Sequence, residues 1–238
     1  SGAAGGYVTK DHRYRARYLR FSPFPSDEGT FVAAYGVALD DMGCLRSSVP
    51  LTEDQPAPEG MTRWEARLVI HADDPWFNNQ AYLNTLDPEA VRRFIQVTHE
   101  RYAQVVGDAF GKTVPAIFTD EPNFSAKGTL SFADQAGAVN TEAMGVVGED
   151  AENLAVKIPW TDTLPDSFKA AYGQDLMDHL PELFWELPEG RVSQARYRYH
   201  DHVAELFAAS FADQVGAWCR EHGIMLTGHV LEEPTLTS

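Results

Sequence analysis

Two consecutive carboxylates, Asp120 and Glu121, stand before Pro122 at the end of the apolar run VPAIFT, residues 114–119. A carboxylate that closes a buried strand must be paired, be solvated in a cleft, or do chemistry. A second cluster closes the run MLTGHVLEEP at 225–234, with His229, Glu232 and Glu233 ahead of a proline. Cleaving a glycosidic bond needs one carboxylic acid to protonate the leaving oxygen and one carboxylate opposite it. Acids at the ends of adjacent parallel strands, with backbones about 4.8 Å apart, can meet either the retaining or the inverting separation through side-chain length. Glu121 is therefore the expected acid, and Glu232 or Glu233 its in-chain partner. Asp120 beside Glu121 is expected to favour the protonated acid by like-charge repulsion. The plainer reading is that each acid caps the turn that follows.

Both clusters are positioned by the same grammar of helix, glycine and apolar strand. Asp87 is an N-cap with Pro88 at the first helical position, where its missing N–H costs nothing. Val91, Phe94, Ile95, Thr98, Tyr102, Val105 and Val106 fall on one helical face, and Gly107 ends the helix. A second long helix, about 194–222, carries Val203, Phe207, Phe211, Val215 and Trp218 on one face and closes on Gly223. Alternating strands and helices imply parallel strands with right-handed crossovers. Both acid clusters then share the C-terminal sheet edge, where α/β folds bind ligands. The almost wholly apolar VPAIFT is expected to be covered on both faces.

The remainder of the chain is less regular. Residues 1–71 read as a loop and an antiparallel β excursion, with strands near 30–39 and 63–71; residues 72–238 read as central βα units. The proline- and acid-rich stretch between those strands reads as loop, and 123–160 as a long irregular segment. Short helices are expected from about 165 and around 174–186. Candidate barrel strands lie at about 66–71, 114–119 and 224–230. The fold class expected is α/β, a partial (β/α)8 TIM-barrel segment, because eight units need about 250 residues. The opening SGAAGGYVTK reads as an expression remnant or a loop cut from something longer.

Composition limits the partners. The 238 residues are 44% hydrophobic and carry a net charge of −16, which disfavours nucleic acid and anionic membrane surfaces. No apolar run reaches the roughly 18 residues of a membrane span. Cys44 and Cys219 sit in no metal or redox spacing. Free thiols and a cytoplasmic location are expected, with no cofactor.

The run YLNTLDPEAVRRFIQVTHERY, TDEP at 119–122 and TGHVLEEP at 227–234 together resemble bacterial glycosyl hydrolases related to the α-L-rhamnosidase barrels. They belong to the large clan of (β/α)8 glycoside hydrolases, in which a glutamate followed by proline ends the fourth strand. The resemblance covers about residues 72–238. It implies Glu121 as proton donor and an oligosaccharide or glycoside substrate. Asp120 stands where the clan more often has Asn, a departure at the position that contacts the sugar 2-hydroxyl.

Other features carry competing readings. WFNNQ at 76–80 is either a surface turn or a sugar platform in which Trp76 stacks and Asn78 and Asn79 meet hydroxyls. His229 is a substrate contact or a structural strand-end histidine. A metal-dependent hydrolase would use Asp120, Glu121 and His229. In YHDH, His200 and His202 are two apart on a helix and point apart, so they share no ion; Tyr199 to His202 could line the cleft. The arginines at 13–20 read as a solvated face. A non-catalytic carbohydrate-binding or structural barrel segment is the alternative to an enzyme. Uncovered strand edges predict self-association or pairing with flanking barrel segments.

Overall fold

The computed structural model describes residues 7–124 and 155–229, with His229 described as backbone only. Strand alternation builds most of one sheet. In β5 (Thr62–Ile70), Trp64 and Ala66 are buried while Arg63, Glu65 and Arg67 face the other way. Those three form a ladder, with Arg63–Glu65 at 2.7 Å and Arg67–Glu65 at 3.6 Å. β3 (Thr30–Leu39) pairs antiparallel with both β5 and β4 (Leu45–Leu51). With β2 (Arg17–Ser22) and β8 (Val156–Trp160) they form a five-stranded sheet in the order β4-β3-β5-β2-β8. Against it Phe21 stacks on Phe184 at 4.5 Å, and Trp64 meets Trp185 edge-on at 4.8 Å.

The remaining strands form two small sheets. β1 (Val8–Thr9) pairs antiparallel with β6 (Ala81–Tyr82). β7 (Ala116–Asp120) pairs parallel with β9 (Met225–His229), in the register Ala116 to Met225 through Asp120 to His229. The parallel pair expected at 114–119 and 224–230 is thus present. The third expected barrel strand is not: residues 66–70 belong to β5 and pair antiparallel with β3. The fold described is a mixed helix-and-strand structure, and the described sheets do not close into a barrel.

Helices form where the caps and periodicity place them. The Asp87 carboxylate accepts the Glu89 N–H at 2.8 Å and starts α1 (Pro88–Val97), which buries Val91, Phe94 and Ile95. The Thr98 hydroxyl donates to the Phe94 carbonyl at 2.6 Å, and there the helix is interrupted before α2 (His99–Val106). Tyr102 and Val105, expected on the buried face, are exposed on α2. α3 (Leu164–Tyr172) precedes a 3-10 segment at Met177–Leu183. The long C-terminal helix is α4 (Gln194–Phe207), a π turn at Ala208–Ala212 and α5 (Asp213–Glu221). Gly223, at φ 63°, then turns the chain into β9.

The chain divides into two compact units that interleave along the sequence. One is Ser1–Arg17, Ile70–Ser125 and Val203–Ser238; the other is Tyr18–Val69 and Ala126–His202. The first has its own core of Tyr7, Tyr82, Val91, Phe94, Phe211, Val215 and Trp218. In the second, the Tyr199 hydroxyl donates to Pro159 O at 2.6 Å, so this tyrosine is a core residue and does not line a cleft. His202 is buried with Nε2 2.8 Å from the Ser167 hydroxyl, whereas His200 is exposed.

Several expectations are corrected. β4 and β8 lie in stretches read as loop and irregular segment. Each carries a proline, Pro50 or Pro159, and each is at an end of the sheet order, where a missing N–H is tolerated. Arg15, Arg17 and Arg20 are buried rather than solvated. Arg15 reaches the His71 and Lys10 carbonyls and pairs with Asp73 at 2.8 Å, while Arg17 donates to the Arg13 and Arg15 carbonyls. β7 is not covered on both faces, since Phe118 is 62% exposed.

Two glycines should respond in opposite directions. Gly228 sits at φ +130°, and a Cβ there would overlap the Thr119 carbonyl oxygen of β7. Gly228→Ala should cost about 3 kcal/mol or more and accelerate hydrogen exchange along β7 and β9. Gly216 lies inside α5, where a Cβ meets only the mobile Arg220 head at 3.3 Å. Gly216→Ala should stabilise by about 0.5–1 kcal/mol in thermal melts.

Burial also gives this core an acid limit. It holds the His99 imidazole down to about 4, against an ordinary value of 6.5, with Glu100 opposing weakly. The unfolded chain therefore takes up the proton first. This contribution is fully present above about pH 6.5 and is lost as pH falls toward 4, amounting to about 3 kcal/mol. Urea titrations across that window should show the loss, and His99→Phe should flatten it.

Candidate functional site

The C-terminal edge of the β7–β9 pair collects the chemistry. Asp120 ends β7 directly across from His229, the last described residue of β9. Parallel neighbours at matched register lie about 4.8 Å apart backbone to backbone. Asp120 and Glu121 are both half-buried. Glu232 and Glu233 lie outside the described residues, so the spacing between the expected acid and its partner is not a feature of the described structure. Among the described residues no group of three His, Cys, Asp or Glu side chains could hold a metal ion.

Glu121 departs from the strand in a way its neighbours explain. Its backbone is left-handed, at φ 47°, one of four non-glycine residues with positive φ among those described. Glutamate has no intrinsic preference for that region, and the conformation costs on the order of 1–3 kcal/mol. The residues that follow are clamped. The Asn123 N–H donates to the Tyr82 hydroxyl at 3.1 Å, the Thr85 hydroxyl donates to the Asn123 carbonyl at 2.6 Å, and the Asn123 amide reaches the Glu121 carbonyl at 3.3 Å. Pro122 between them is buried.

A second polar contact ties the strand to the N-terminal segment. The Tyr7 hydroxyl hydrogen-bonds the Thr119 hydroxyl. Burial pushes the Tyr7 and Tyr82 phenols up, so both stay protonated at neutral pH. Thr119 and Asp120 border a cavity of about 640 Å³, walled by aromatic side chains that include Tyr7, Phe94, Phe110 and Phe211.

The loop that carries the expected sugar platform is a capped turn. Asp74 caps a 3-10 turn at Pro75–Phe77 by accepting the Trp76 N–H at 2.8 Å. Asn78 and Asn79 follow at φ 57° and 53°, a left-handed conformation that asparagine tolerates. The consecutive amides are thus accounted for as turn residues. Trp76 is 74% exposed, and no described hydrogen bond or ring contact joins this loop to Glu121.

Tyr7, Tyr82, Thr85 and Asn123 were not singled out by the sequence. Tyr82 and Thr85 stand in YLNTLD and Asn123 directly follows DEP, so proximity to the motif is the one signal they carry. Strain at Glu121 gives a direct test of whether the site holds it for a purpose. Glu121→Gly should raise the unfolding free energy by about 1 kcal/mol in denaturant titrations, because glycine adopts this backbone freely. A loss of stability would instead make the Glu121 side chain a structural cap.

No protein-family model matches this chain, and no curated protein matches it. Among solved structures, a rhamnosidase from Novosphingobium sp. PP1Y is similar over 85% of this chain, at 20% identity and a TM-score of 0.45. The chain spans 18% of the length of that rhamnosidase chain.

Proposed function

We propose that this chain is a catalytic-domain segment of a glycoside hydrolase, cleaving glycosidic bonds by carboxylate acid/base chemistry. The observation that carries the reading is Glu121, held in a left-handed backbone by the Asn123 clamp at the C-terminal edge of a parallel strand pair. Strained, over-determined backbone concentrates at functional sites, and this edge is where α/β folds bind ligands. In this reading β7, β9 and the helices before them are βα units of a (β/α)8 barrel. Glu121 protonates the leaving oxygen, and Glu232 supplies the second carboxylate. Asp120, His229 and Glu233 contact the sugar, with Trp76, Asn78 and Asn79 as an outer platform. Neighbouring strands, from flanking segments or a second copy, cover the exposed face of β7.

The test is a leaving-group series of aryl and alkyl glycosides. Glu121→Gln should slow substrates with poor leaving groups by about 10²–10⁴-fold. Activated aryl glycosides, which need little protonation, should lose much less. Folding should survive, since the two side chains are nearly isosteric. Equal losses for both substrate types would remove Glu121 from the acid role. Saturable sugar binding by the unaltered chain without turnover would favour the alternative, a non-catalytic carbohydrate-binding segment of the same fold.

A further inference from the structure

Two buried tyrosines reach the end of β7 from one small ladder. In the β1–β6 pair Val8 lies opposite Tyr82, and the Leu83 N–H donates to the Tyr7 carbonyl at 2.8 Å. The Ala16 N–H also donates to the Tyr82 carbonyl at 2.8 Å, which fixes the backbone that carries the second ring. Both side chains are buried. The Tyr7 ring meets Tyr82 edge-on at 6.4 Å, and it packs on Phe94 and Phe211 at 5.3 Å each. Neither ring is free to follow the strand end if that end moves.

Their hydroxyls fall on either side of Glu121 along the chain. Tyr7 hydrogen-bonds the Thr119 hydroxyl before it, and the Tyr82 oxygen accepts the Asn123 N–H after it at 3.1 Å. The Thr85 hydroxyl donates to the Asn123 carbonyl at 2.6 Å, so side chains of one short stretch take both main-chain groups of Asn123. Between these anchors the chain has little freedom. Pro122 is buried and fixes its own φ. A residue before proline favours extended backbone, yet Glu121 lies at φ 47°. Local preference alone would carry Glu121 straight on from β7.

We propose that Tyr7 and Tyr82 are positioning residues, whose hydroxyls fix the chain on both sides of Glu121 and so set its backbone. The purpose of that bracket rests on the acid role of Glu121; neither tyrosine has to touch substrate. Tyr7→Phe and Tyr82→Phe each remove one oxygen and keep the ring. The first readout uses no substrate: the ¹³Cα and ¹³Cβ shifts of Glu121, which report its backbone angle. They should be left-handed in the unaltered chain and move toward extended values in either variant, while the protein is still folded. Thr119→Val removes the Tyr7 bond from its other partner and should move the same shifts, even where Tyr7→Phe folds poorly. Tyrosines that only support the core would lower the thermal midpoint and leave the Glu121 shifts unchanged, which would overturn the proposal. The second readout is the leaving-group series. Each tyrosine variant should lose about 10–10²-fold in kcat on poor leaving groups at unchanged KM, and much less on activated aryl glycosides. If Glu121→Gln shows that split and the tyrosine variants do not, the positioning role fails and the acid role stands. If Glu121→Gln itself shows no split, the acid role fails, and the shifts alone decide whether the tyrosines set this backbone.

Discussion

The close parallel approach of β7 and β9 is the constraint on which the site depends. It places the last residue of each strand side by side, Asp120 against His229, and it leaves no room for a side chain at residue 228. Ile117 and Leu226, partners in this register, pack against the core of Phe94, Val215 and Trp218. The burial of α1 and α5 side chains therefore helps to position the strand ends.

Glu121 is the exception to the regularity around it. In a strand, successive side chains alternate between faces, so Asp120 and Glu121 would point to opposite sides of the sheet. A left-handed residue breaks that alternation and takes Glu121 out of the strand's two-face pattern. The cost, on the order of 1–3 kcal/mol, is comparable with what two or three hydrogen bonds supply at about 1 kcal/mol each. The bonds between Tyr82, Thr85 and Asn123 form that set, with the buried Tyr82 phenol oxygen accepting the Asn123 N–H. The Glu121 backbone, the tyrosine and the threonine thus form one unit.

What the sequence made legible follows from the range of each signal. Asp87-Pro88, Gly223 and the apolar periodicity of α1 and α5 are local, and the structure has them where the residues place them. The parallel pair was readable because the order of helix, glycine and strand repeats. Edge strands β4 and β8 were not readable, since Pro50 and Pro159 carry the composition of a loop and only the neighbouring strand decides otherwise. Buried Arg15 depended on carbonyls of Lys10 and His71 and on the distant Asp73, which no spacing rule brings to it. The acid at 121 was visible as a residue type; its backbone was not, because glutamate carries no mark of a positive φ.

The exposed face of β7 completes the physical picture. Ile117 turns to the helices, whereas Phe118 on the opposite face is largely exposed despite its size. In a closed barrel the inward face of each strand is filled by layers from its neighbours, and a large apolar residue there is unremarkable. The two strands described here supply no such layer of neighbouring strands. An apolar run that reads as doubly covered is therefore consistent with a strand selected for a larger sheet than the described residues form. On the proposed reading, the acid site and the exposed phenylalanine have one cause: β7 is built to be an interior strand, with its chemistry at one end and its packing partners on both sides.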